Sequence, residues 1–431
     1  MRNLFVVMSI TLLFFVSCQK DNDILSVDDT YNSFDITKGP VNIQQFDSYS
    51  NENQVNLYWT TGRPIYYPST PLSPKVGSVS LYISDTSPDE NFVKIHESDQ
   101  VGEDSTVVTG LSPNMIYYFR IATYTETDSL IGVSRPLMTT LAKELNDYYS
   151  LLVSVKESPL YSTKLSWSPN GNSIAFVGKD NSGYPNILEL DVNTFSIKQL
   201  TDYTSTENRL MSISYSPNGD KIAYCYSPSQ TSGETNYRIW VLNTTNLQKE
   251  VVTTGRVDAD PTWLSNESVI FCRGTHGPPN IPELYLVNLQ NGLEEGITQD
   301  QNIRKYTPSV LTTDSLIIYS GEILENDKRA IYQTTISVGT NIPLTETEYW
   351  RDLQPTWSNS KMKIYFTSDR SGHYEIWAID LISKNYTQIT HGLKKGVDRF
   401  YGAVDPNNKF IAIMERDASW NHVLKILDYM Q

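Results

Sequence analysis

Apolar and polar residues alternate along most of this chain in short runs, separated by clusters of Gly, Pro, Asn, Asp and Ser. Alternation sends every second side chain to one face of a strand, so the pattern predicts half-buried antiparallel strands. Beyond the N-terminal segment no stretch carries a helical period. Two regions differ in spacing. From 39 to 141 the strands "QVNLYW" (54–59), "SVSLYIS" (78–84), "NFVKIHE" (91–97), "STVVTGL" (105–111) and "IYYFRIATY" (116–124) follow one another without a repeat. That is the pattern of an antiparallel sandwich.

The rest of the chain repeats itself. "SWSPNG" (166–171) returns as "SYSPNG" (214–219), and Trp167, Tyr215, Trp263, Val310, Trp357 and Val404 recur at steps of 48, 48, 47, 47 and 47. After each marker comes a turn and a β-branched, aromatic strand: "SIAFVG", "KIAYCY", "SVIFCR", "SLIIYS", "KIYFTS", "FIAIME". A third strand follows, and in most repeats a fourth. One small sheet cannot bury both faces, so six of them are expected to stack as a closed ring, a six-bladed β-propeller over 142–431. The last repeat runs out after three strands. The unassigned segment "YYSLLVSVKES" (148–158) is expected to supply its outer strand and close the ring.

Two resemblances sharpen this reading. Residues 39–141 resemble a fibronectin type III domain, with Trp59 as the buried strand-B Trp, Tyr117 at the tyrosine corner, and Phe119 and Ile121 facing the core. The repeat wording, clearest in "PTWSNSKMKIYFTSDRSGHYEIWAID" (355–380), resembles the propeller repeat of the TolB family, also found in prolyl oligopeptidase-like enzymes. The implied fold class is all-β: a fibronectin type III β-sandwich followed by a six-bladed TolB-like (WD40-like, PD40) β-propeller.

The N-terminus reads as an address. One positive charge, Arg2, precedes an apolar run from Leu4 to Val16 that is too short to span a bilayer. "FVSC" resembles a lipoprotein lipobox, with Phe15 where the family prefers Leu. Residues 1–17 are then a signal peptide, Cys18 the lipidated residue, and 18–38 a tether. The following "QKDND" resembles acidic export signals, which implies an outer membrane lipoprotein exposed at the cell surface. A periplasm-facing orientation is the alternative.

Composition narrows the partners. A net charge of −15 argues against nucleic acid, and three Cys are too few for a disulfide scaffold. The loops entering each blade bring Asp258, Asp260, Arg304, Tyr306, Trp350, Arg351, Asp352, Asp398, Arg399 and Tyr401 toward one mouth. Aromatic faces with Arg and Asp between them suit a glycan or protein ligand. The competing reading is that these residues are solvated or form salt bridges between blades. His276, His373, His391 and His422 fall toward the same face, but without the short paired spacing of a metal site, so no metal or other cofactor is expected. There is no G-x-S-x-G and no hydrolase domain, and Asp258 with Asp260 reads as capping polar groups before acid–base chemistry. The function expected is a non-enzymatic, membrane-anchored binding scaffold. The alternatives are a polysaccharide lyase or glycosidase at the same mouth, and a TolB-like periplasmic component of an envelope complex.

Overall fold

The computed structural model describes residues 30–31, 42–62, 75–155, 164–205, 209–228, 236–255, 257–274, 281–300, 302–311, 316–326, 328–337, 339–346, 348–358 and 362–429. Cys18 and its flanks lie outside them. Every regular element is a β-strand, and the chain divides into two compact units, 1–144 with 391–393, and 145–390 with 394–431. The second unit begins three residues after the boundary expected from sequence. Leu145 packs against the core shared by the last two blades, and Asn146 O accepts from Asp428 N at 3.0 Å.

The first unit is a two-sheet sandwich. One sheet pairs Ile43–Ser50, Gln54–Thr61 and Glu103–Thr109; the other is built around Ser78–Ser84 and Ile116–Tyr124. Along Gln54–Thr61 burial alternates residue by residue, which turns Val55, Leu57 and Trp59 inward. They meet Val79, Leu81, Tyr117, Phe119 and Ile121 of the facing sheet in one core. Tyr117 is 1 % exposed, and its hydroxyl accepts from Ser112 N at 2.8 Å, which fixes the turn ahead of its strand.

The second unit consists of six four-stranded antiparallel blades. Their first strands are Ser166–Trp167, Arg209–Tyr215, Asp258–Ser265, Ile303–Leu311, Asp352–Ser358 and Asp398–Val404. Successive first strands touch, and that of blade one also touches that of blade six, so the ring is closed. Blade six is completed by Asp147–Val155, which pairs antiparallel with Asn421–Asp428. Trp167, Phe176 and Leu190 of blade one share a core with Phe410, Met414 and Leu424 of blade six. The recurring "SPNG" is the turn between first and second strands. Gly171 and Gly219 have φ of +73° and +80°, and each amide donates to the Ser carbonyl three residues back.

Candidate functional site

Three residues before each marker, every first strand from blade two to blade six breaks register in a β-bulge. The bulge residues Ser212, Asp260, Thr307, Gln354 and Tyr401 all have positive φ, between 45° and 55°. Five side-chain types hold one strained conformation, so the ring of blades imposes it. Neighbouring bulges are linked. Ser212 Oγ donates to Asp260 Oδ1, Thr307 N donates to Asp260 Oδ2 at 3.0 Å, and Tyr401 N donates to Gln354 Oε1 at 3.3 Å. Lys164 takes the sixth place. Its Nζ reaches Pro261 O of blade three at 3.2 Å, so the side chain crosses the axial channel. Burial lowers its pKa, and the Asp260 charge opposes that shift.

Around this axis the mouth residues are mostly engaged with one another. Asp258 is fully buried and receives Arg273 Nε at 2.7 Å and Nη2 at 2.9 Å, a bidentate pair within its blade. Asp258 and Asp260 therefore point to different partners and do not form a carboxylate pair. Asp352 binds Arg370, and both side chains are 0 % exposed. Asp398 binds Arg416 and also accepts from Tyr374 N at 3.0 Å. Arg399 donates to Glu375 of blade five at 2.6 Å and to Glu415 of its own blade at 3.2 Å. Arg304 donates to Glu322 at 2.7 Å. Trp350 is buried at 3 % exposure, and its ring covers the Arg370 guanidinium at 5.0 Å. It therefore offers no open face to a ligand. Tyr306 and Tyr401 are half-buried, and Arg351 is exposed.

Arg370 explains Trp350. Its Nε and Nη2 have no hydrogen-bond partner among the described residues. Phe366, Trp377 and Tyr386 join Trp350 around it, with ring centres 4.5 to 5.8 Å from the guanidinium carbon. An aromatic cage, one carboxylate and the Ser368 hydroxyl, which accepts from Nη1 at 2.7 Å, replace the water that this cation has lost.

The histidines do not converge. His276 lies outside the described residues. His373 is buried with Nε2 2.9 Å from Glu375 Oε1, and His422 is buried in the last strand. His391 groups with the first unit, where its Nδ1 is 3.1 Å from Ser50 Oγ. Among the described residues no group of three or more His, Cys, Asp or Glu is placed to hold a metal ion. Cys225 and Cys272 are buried free thiols, and burial pushes both pKa values well up.

Sequence reasoning placed the entering-loop residues but missed their partners. Asp369, Arg370 and Tyr374 belong to a connection between second and third strands, and Glu322, Arg329 and Glu375 to the strand ends that flank such connections. One signal was available: the "SDRSG" string (368–372) sets a charged pair immediately after a strongly apolar strand.

No family model matches the chain, and no curated protein matches it. Several solved structures resemble it. TolB from Acinetobacter baumannii aligns at 14 % identity and TM-score 0.46, over 73 % of this chain and 77 % of that one. The β-propeller domain of the Trilobed protease from Pyrococcus furiosus aligns at 11 % and 0.43, over 90 % and 97 %. Oligogalacturonate lyase from Vibrio parahaemolyticus aligns at 10 % and 0.42, over 73 % and 86 %. These similarities are too distant to carry an activity across.

Proposed function

We propose that this chain is a non-enzymatic binding scaffold, held to the outer membrane by a lipid on Cys18, whose propeller mouth engages a glycan or protein partner. The observation that carries the reading is the pairing of the mouth carboxylates. Asp258, Asp352 and Asp398 are each bound to an Arg of their own blade, and the first two are fully buried. A carboxylate engaged with a guanidinium of its own blade is poorly placed to reach a ligand's proton, and placement is the first requirement of a general base. Side chains engaged like this make the rim rigid, and a rigid rim suits recognition. The test is a binding screen against glycans and envelope proteins, with product analysis in the same samples. Saturable binding without turnover is expected; product formation would reverse the reading.

The remaining parts follow from it. The sandwich acts as a spacer of fibronectin type III type, a reading supported by buried Trp59 and by the Tyr117–Ser112 bond. Radiolabelled fatty acid should enter the protein, and Cys18→Ser should prevent it. Protease applied to intact cells should remove the propeller if the anchored protein faces outward.

A further inference from the structure

The rim is not evenly paired. Blades four and five place three arginines on their mouth side: Arg304 and Arg329 from blade four, and Arg351 just ahead of the first strand of blade five. Glu322 serves two of them, with Oε1 2.7 Å from Arg304 Nη1 and Oε2 2.6 Å from Arg329 Nη2. The Arg351 backbone amide donates to Asp369 Oδ1 at 2.7 Å, and the strand that follows Arg351 packs against the strand that opens with Arg329. Arg329 lies 5.7 Å from the centre of the Tyr306 ring. Arg304, Glu322, Arg329 and Tyr306 thus form one linked group at the mouth end of blade four, with Arg351 and Tyr374 at the same end of the neighbouring blade.

Charge and exposure decide what the group can do. The three arginines stand among Glu322, Asp369 and Asp398, the last already bound to Arg416, in a chain of net charge −15. Glu322 and Arg304 are sunk, with side chains 6 % and 18 % exposed, while Arg329 is 35 % exposed and Arg351 is open to solvent. A guanidinium carries five N–H donors. Arg329 forms an ion pair with Glu322, and its partly exposed side chain lies beside the half-buried Tyr306 ring. Among the described residues, the Arg273, Arg370, Arg399 and Arg416 side chains, each bound to a carboxylate elsewhere on the rim, are 24 % exposed or less.

We infer that this notch binds a carboxylate carried by the ligand of the mouth, with Arg329 and Arg351 as its charged contacts and Tyr306 and Tyr374 beside it. Planar forks of donors match a planar carboxylate, and aromatic rings accept the apolar face next to it. The inference rests on the binding reading above and names the chemistry that reading leaves open. An acidic sugar and a peptide C-terminus both present this group.

Isothermal titration on the full chain at low salt tests it. The probes are glucuronate against glucose, and a tripeptide with a free against an amidated C-terminus. At least one acidic probe should bind about tenfold or more tightly than its neutral twin. Arg329→Gln and Arg351→Gln should each erase most of that difference, whereas Lys198→Gln on the outer strand of blade one should leave it unchanged. The winning pair identifies the source of the carboxylate. Arg351 is exposed, so its variant is expected to keep the wild-type melting curve and to separate loss of binding from loss of fold. Equal affinity for acidic and neutral twins, no binding of any probe, or an acid preference that neither substitution changes overturns the inference. Preferential binding of neutral ligands would sink the notch and spare the scaffold; cleavage of a bound ligand would sink the scaffold whatever the arginines do.

Discussion

Trp167 Nε1 donates to Ala403 O at 2.8 Å, joining the first repeat to the last. Trp263 makes the same bond one blade back, to Ser214 O at 2.8 Å. The indole therefore does two tasks at this place: its rings fill the gap between blades, and its N–H satisfies a backbone carbonyl of the neighbour. Phe would keep most of the filling and lose the donor. Trp167→Phe is expected to cost about 1–2 kcal/mol, read from the urea midpoint. Trp357 has no hydrogen-bond partner for Nε1 among the described residues, so Trp357→Phe should cost less.

The Arg370–Asp352 pair calls for a different pattern. Removing one member of a buried pair leaves the other uncompensated, so Asp352→Asn should destabilise by about 3–5 kcal/mol. Arg370→Met combined with Asp352→Leu should be milder than either single change, because the aromatic cage then closes on apolar groups. A double-mutant cycle in urea provides the check. Simple additivity would mean the two side chains do not depend on each other.

Acid should weaken the propeller in two steps. Burial of His422 lowers its pKa, with the Arg416 charge acting in the same direction. The unfolded chain then takes up a proton near pH 6.5 that the folded chain refuses, and stability falls as pH drops below about 6.5. Burial alone would raise the pKa of Glu375, but Arg399, His373 and Thr390 outweigh it and hold the group below the ordinary value. A depressed carboxylate stabilises above its unfolded pKa and loses that contribution as pH falls through the folded one. A second decline is therefore expected below about pH 4.5. Melting curves from pH 3 to 8 should show both (a range chosen to bracket the two groups). His422→Gln should remove the upper step and keep the lower one.

The strand Asp147–Val155 should be indispensable to the ring. A chain beginning at residue 159 would expose the edge of Asn421–Asp428, and exposed edges pair with other molecules. Light scattering is expected to show association. A monodisperse monomer would count against this role for the strand.

The propeller was legible because its marker residues do structural work at a fixed period. Trp167, Tyr215, Trp263, Val310, Trp357 and Val404 all lie on first strands, where size and burial constrain the choice. The bulges were hidden, although they keep the same spacing. Ser212, Asp260, Thr307, Gln354 and Tyr401 share a backbone conformation and no side-chain chemistry, so residue type gives no sign of it. The mouth was half legible. Entering loops could be placed by counting from the markers, whereas a pairing such as Arg399 with Glu375 joins residues of adjacent blades and follows from their stacking. Trp350 shows the limit most plainly. Its sequence context suits a ligand platform, yet it is buried over Arg370, whose charge needs the ring more than a ligand does.

The rung between Lys425 and Asp147 joins residues 278 positions apart, so Lys425 is made long after its partner. While the ribosome works through the chain, the strand that begins at Asp147 has no partner, and five blades must assemble beside a gap. Completion therefore waits for the strand Asn421–Asp428. The same clasp is non-covalent and follows directly on the sandwich in the chain. A drag on the N-terminal side thus reaches the ring at the one blade that was fastened last.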